Sequence, residues 1–198
     1  ATSADLVFVC DNLWLVPGDR RMNNLDFSLA FEEITNTRDL VQKPRLAGKI
    51  NWYIMATAQE YSIDFVLLDM STSTGPLNRW LVTSSHYLVV PTTNDSLCCT
   101  AFNGLDKILA KWARQKARVE ADMTAFKHPI PFPLTKHKVE FIGYITNRTC
   151  LFNNSQQEKM YAHCIDEAAR KLMSKDPILG EVSTVRMVCP HVIESNNL

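Results

Sequence analysis

Glycine is scarce in this chain, with six residues in 198. Phosphate-cradling loops depend on glycine-rich turns whose peptide N–H groups can approach the phosphates, and no G-x-x-x-x-G-K-[ST] run occurs. An excess of charge of one sign is also missing. Twenty-one Lys and Arg balance twenty-one Asp and Glu, which excludes a globally basic nucleic-acid binder but leaves room for a local basic face. The apolar runs, Phe65 to Leu68 and Tyr87 to Val90 among them, fall far short of the ~20 residues of a membrane helix. The six cysteines contain no C-x-x-C pair and the five histidines no H-x-x-x-H pair, so metal-site spacing is absent. A disulfide framework is not expected at this length, and the cysteine usage points to a reducing compartment, the cytoplasm. Asp5 and Asp11 flank the first apolar run, which reads as a strand and not as a signal peptide.

What is present alternates between strand and helix. Leu6 to Val9 and Leu13 to Val16 are short strand-like runs, and Pro17-Gly18 stops the second. Helices are expected over Leu25–Ile34, Leu46–Glu60, from Pro76 onward, over Leu97–Val119 and over Ser155–Met173. Pro76 suits a first helical position, and Ser155-Gln-Gln-Glu158 forms a capping box. Strands are expected at Asp64–Asp69, Tyr87–Pro91 and Val139–Ile145. Residues 122–138, with Pro129, Pro131 and Pro133, read as a flexible proline-containing loop. Trp14, Trp52, Trp80 and Trp112 stand in apolar patterns and are expected in the core. Continuous apolar strands separated by helices imply burial on both faces. The expected fold is therefore α/β: a single domain over residues 1–198, three-layered, with a mostly parallel sheet flanked by helices.

In such sheets ligands bind beyond the carboxyl ends of the strands. Three ends carry polar residues: Asp69 before Met70-Ser-Thr-Ser-Thr-Gly75, Thr92-Thr-Asn-Asp95, and Asn147-Arg148. A carboxylate such as Asp69 can hold hydrated magnesium, and an asparagine amide can pair with a purine edge. Helix caps and plain turns account for the same residue types equally well. Ser84, Ser85 and His86 are adjacent but lie in no nucleophile elbow, and His163-Cys164 share no helix face. No nucleophile–base pair supports an unrelated α/β enzyme.

The order of these elements resembles the ParA-type partition ATPases. Asp64-Phe-Val-Leu-Leu-Asp69, Gly75-Pro-Leu-Asn-Arg-Trp-Leu81 and His86-Tyr-Leu-Val-Val-Pro91 follow one another as a strand, switch and strand do in that family. Asn12-Leu-Trp-Leu-Val-Pro-Gly18 upstream and Phe141-Ile-Gly-Tyr-Ile-Thr-Asn147-Arg148 downstream are similar to two more of its elements, so the resemblance spans about residues 12–175. It implies a deviant-Walker P-loop NTPase-like fold, incomplete at the N-terminus, with this chain as a C-terminal portion. Asp69 would match the magnesium-site aspartate, and Asn147, Arg148 and Asp95 the nucleotide-binding rim. ATP, magnesium, a homodimer, a partition adaptor protein and nonspecific DNA are the implied cofactors and partners.

Two departures shape the functional expectation. Met70-Ser-Thr-Ser73 stands where the family carries two prolines, and the P-loop is missing. The nearest candidate, Lys43-Pro-Arg-Leu-Ala-Gly48-Lys49-Ile50, lacks the first glycine and the magnesium-ligating hydroxyl. The chain is therefore expected to be hydrolysis-incompetent: either a plasmid- or DNA-partition domain, or a nucleotide-independent module holding DNA or a protein on the same scaffold. The absent C-x-x-C disfavours the family's iron–sulfur carriers, and the absent terminal amphipathic helix its membrane-bound branch.

One signal is independent of family. Lys107, Lys111, Arg114 and Arg118 recur within one expected helix, and at about 100° per residue they fall within roughly 60° of arc. Leu105, Ile108, Leu109, Trp112 and Val119 take the other side. Each cation can neutralise a phosphate, giving sequence-independent, salt-sensitive DNA binding; a solvated helix face is the competing explanation.

Overall fold

A computed structural model describes residues 5–34, 46–71, 73–124, 132–146 and 155–174. Among these the chain is α/β, with two two-stranded sheets and five helices. By contact it divides into two compact units, Ala1–Ser84 with Ala117–Lys136, and Ser85–Lys116 with His137–Leu198.

The first unit opens on an antiparallel hairpin, β1 (Val7–Cys10) and β2 (Leu13–Leu15). Asp11 and Asn12 make its turn. Asn12 takes φ 62°, a left-handed conformation that asparagine tolerates better than most residues. Helices α1 (Met22–Ile34), α2 (Leu46–Glu60) and α3 (Pro76–Ser84) follow, and α3 packs against both others. Leu29, Ala47, Trp80 and Leu134 form the buried core, with Leu25, Ile50, Leu77 and Val119 packed around it. Full burial of each large apolar side chain contributes about 1.5–3 kcal/mol. Leu134 thereby ties the end of the proline-rich segment into the core.

Gly48 is required by close approach. A Cβ there would overlap the carbonyl oxygen of Phe132 and stand 2.9 Å from its carbonyl carbon. The ring of Phe132 also meets Trp52 edge-on, with centroids 5.4 Å apart. Helix α2 then closes in a Schellman turn: Ile63 N–H bonds to the Ala58 carbonyl (2.8 Å) and Ser62 N–H to that of Gln59 (3.3 Å). Ser62 adopts φ 53° at the position usually given to glycine.

The second unit is a strand–helix–strand crossover with one more helix: β3 (Tyr87–Thr92), α4 (Ser96–Thr124), β4 (Glu140–Thr146) and α5 (Ser155–Ser174), of which α4 runs on past the unit at Ala117. β3 and β4 are parallel, as a helical crossover requires. Their register slips where Leu88 faces Phe141 and Val89 faces Gly143. Gly143 carries φ 143°, a conformation that favours glycine, and the extra residue of this bulge has a packing result. Phe141 and Tyr144, which regular alternation would put on opposite faces, both reach the ring of Phe102 (centroids 6.3 and 5.7 Å). Ile165, Ala168, Ala169 and Leu172 bury the inner stripe of α5.

Several expectations need correction. Asp64–Asp69 forms no strand, because no described segment pairs with it. The first two strands pair antiparallel and not within a parallel sheet. β3 is not buried on both faces, since Tyr87, Val89 and Pro91 are exposed and alternate with more buried neighbours. Trp80 is core, but Trp14 and Trp52 are exposed. Helix α4 runs to Thr124, into the segment read as a loop. Finally, Cys99 and Cys164 are joined in a disulfide, with Cα atoms 5.9 Å apart. That geometry is within the usual range for a bridge, and no spacing rule could find a pair separated by 65 residues. Disulfides persist in oxidising surroundings, so this bond runs against a reducing compartment.

Candidate functional site

The stretch from Asp69 to Asn78 connects the unpaired apolar run to α3. Asp69 is exposed and makes no described hydrogen bond or ion pair. Behind it the chain is fixed by Asn78, which is buried and whose Nδ2 donates to the Ser71 carbonyl (2.7 Å), Ser71 Oγ (3.0 Å) and the Ser73 carbonyl (2.6 Å). Ser73 Oγ accepts from Gly75 N–H (2.9 Å). Pro76 opens α3, needing no N–H partner, and the next free donor, Leu77 N–H, is met by the carboxylate of Asp26 on α1 (2.8 Å). A Cβ on Gly75 would press on that carboxylate at 2.8 Å. Glycine here lets Asp26 cap a helix 51 residues away in sequence.

This arrangement bears on the implied ATP and magnesium. A phosphate at the N-terminus of α3 would need its free N–H groups and positive field. Asp26 already supplies negative charge there. Gly48, the nearest glycine to a P-loop, lies inside α2 against the Phe132 backbone. Lys49 stands 5.9 Å above the Phe132 ring. Among the described residues no three His, Cys, Asp or Glu side chains gather as metal donors. Among the described residues Asp69 is therefore part of no such group of three donors.

Asp95 is engaged in capping. Its Oδ1 accepts from Cys98 N–H (2.8 Å) and its Oδ2 from the Thr93 hydroxyl, the pattern of an N-cap on α4. The Cys98 N–H, and then the Thr93 hydroxyl, hold this carboxyl below the usual aspartate range. Cys98 Sγ accepts from Thr93 N–H (3.4 Å), while the N–H of Asp95 itself bonds to the Thr93 carbonyl (2.9 Å). Asn147 and Arg148 lie outside the described residues.

The basic stripe is built as its spacing requires. Lys107, Lys111, Arg114 and Arg118 are all exposed on the continuous helix α4. Their side chains have no described hydrogen bond or ion pair. Leu109 is buried, while Leu105, Ile108, Trp112 and Val119 are partly so.

Two polar residues escaped the sequence reading. Lys116 is buried and donates from Nζ to the His137 carbonyl (2.9 Å). Nine residues from Lys107, it lies about 180° around the helix, and that phase was the available signal. Asp26 offered none, because its capping role depends on tertiary packing.

No protein-family model, curated protein or solved structure matches this chain.

Proposed function

We propose that this chain is a DNA-binding domain of partition type, related in scaffold to the ParA-like ATPases, that holds duplex DNA without hydrolysing ATP. The carrying observation is the α4 stripe: four exposed cations in one arc with no described carboxylate partner. Cations kept free of intramolecular pairs remain available to phosphates, and contacts to phosphate carry no sequence information. A homodimer and an adaptor protein belong to the same reading. The order of motifs from Asn12 to Arg148 supports the relationship, and Asp26 at the α3 N-terminus supports its separation from nucleotide chemistry.

Fluorescence anisotropy with two unrelated 20-base-pair duplexes across a salt series tests this. Four phosphate contacts give a log–log salt slope of about −3.6. Each single replacement, such as Lys111→Ala, flattens the slope by about one unit for both duplexes alike, and magnesium–ATP changes nothing. Undetectable binding at low salt, or a fourfold charge reversal without effect, would reduce the stripe to a solvated face. Binding that appears only with magnesium–ATP would restore the nucleotide-linked reading.

A further inference from the structure

The run Asp64–Asp69 leaves more apolar side chain and more backbone polarity uncommitted than its sequence warrants. Phe65 is 87% exposed and Leu67 92%, whereas Val66 is 45% exposed and Leu68 partly buried. This two-residue alternation is the mark of extended chain. The peptide groups from Phe65 to Leu68 make no hydrogen bond among the described residues. An unpaired edge of this kind is a template for a further strand.

Charge decides which strand fits. Exposed carboxylates stand at both ends, Asp64 and Asp69. In antiparallel self-pairing centred between Val66 and Leu67, Asp64 of each copy faces Asp69 of the other. Parallel pairing in register stacks each aspartate on its own counterpart. Either way a second copy brings like charges directly opposite, which destabilises cross-strand pairs. A different strand with cations at its ends meets both carboxylates and lays apolar side chains beside Phe65 and Leu67.

We propose that Asp64–Asp69 is a strand-acceptor edge for an extended apolar segment of another polypeptide carrying Lys or Arg at each end. Backbone N–H and C=O groups supply the ladder, and Asp64 and Asp69 set register and partner choice.

A fluorescein-labelled peptide, Lys-Val-Thr-Val-Val-Lys, titrated into the whole chain tests the proposal by anisotropy. Saturable binding is expected. Reversing both ends (Asp64→Lys with Asp69→Lys) weakens it by about tenfold, and a peptide with Glu at both ends recovers the loss on that variant. Val66→Pro and Leu67→Pro remove donors from opposite edges of the run, so one of the two abolishes binding while circular dichroism stays unchanged. No binding at millimolar peptide, or binding indifferent to the charge swap, overturns the proposal. So does amide protection of Phe65–Leu68 in the chain alone, which would mean the run is already paired. A dimer in sedimentation velocity that Phe65→Lys dissociates would give the edge to a second copy and overturn it equally. None of these outcomes depends on DNA binding by α4.

Discussion

Two apolar runs of similar composition, Phe65-Val-Leu-Leu68 and Tyr87-Leu-Val-Val90, adopt different backbone states in this molecule. The second is β3. Helix α4 returns the chain to lie parallel beside it, Glu140 N–H bonds to the His86 carbonyl (2.8 Å), and six residues find partners in β4. The first lies between α2 and α3 and meets no described strand. Both runs consist of residues that favour strands. The difference teaches that β-propensity describes fitness for a pleated neighbour, and without that neighbour the backbone groups remain unspent.

The contrast predicts where the molecule is sensitive. The largest effect is expected at the covalent clip beside β4. Closing a loop of 65 residues, the Cys99–Cys164 bond stabilises by about 4 kcal/mol on the chain-entropy account. Cys99→Ser should lower the denaturant midpoint accordingly, and dithiothreitol should bring the parent chain to the same value. Equal midpoints before and after reduction would mean that the paired strands hold without the clip.

Next comes the core of the first unit. A helix-interior Gly→Ala change normally gains about 1 kcal/mol. Gly48→Ala should instead cost about 1–3 kcal/mol, because its methyl meets backbone and not a movable side chain. Urea melts of this variant test the sign, and a stabilised protein would show that the Phe132 backbone yields to a methyl group at no cost.

Asp95 follows. Asp95→Ala should cost about 1 kcal/mol through the lost cap. Its carboxyl is held below the ordinary value of 3.8, so its contribution is present above that pH and fades as pH falls through the lower folded value. Asp95→Asn should keep most of the cap and flatten stability below pH 3.8. An acid limb identical in parent and Asn variant would assign the acid sensitivity to another group.

The smallest effect is expected on the unpaired run. Phe65→Ser with Leu67→Ser should change stability by no more than about 0.5 kcal/mol, since both side chains are already in water. A loss several times larger would mean that the run is paired in solution and would erase its contrast with β3.

Helices were the legible part of the sequence. Periodicity, Pro76 and the Ser155–Glu158 capping box locate α3, α4 and α5 to within a few residues, because those signals are local. The apolar and basic faces of α4 were legible for the same reason, down to Lys107 and Arg118. Pairing was not. Nothing local distinguishes Phe65 from Tyr87, reports that Asp26 reaches Leu77, or brings Cys99 to Cys164. Of the residues expected at a nucleotide site, Asp95 caps α4 and Asp69 is exposed, and helix caps and turns use the same residue types.

Ser62 has a consequence for the run that follows it. A side chain held in the left-handed region costs about 1 kcal/mol, and here serine bears that cost where glycine would not. The residue therefore acts as punctuation: it stops α2 and fixes the parity of everything after it. With side chains alternating every residue, a helix one residue longer would turn Phe65 and Leu67 inward and hand the outer face to Val66 and Leu68. Ser62→Gly secures the present parity, whereas a β-branched residue at the same place favours continuing the helix and scrambling it. The face this segment shows to the outside is thus written two residues before the segment begins.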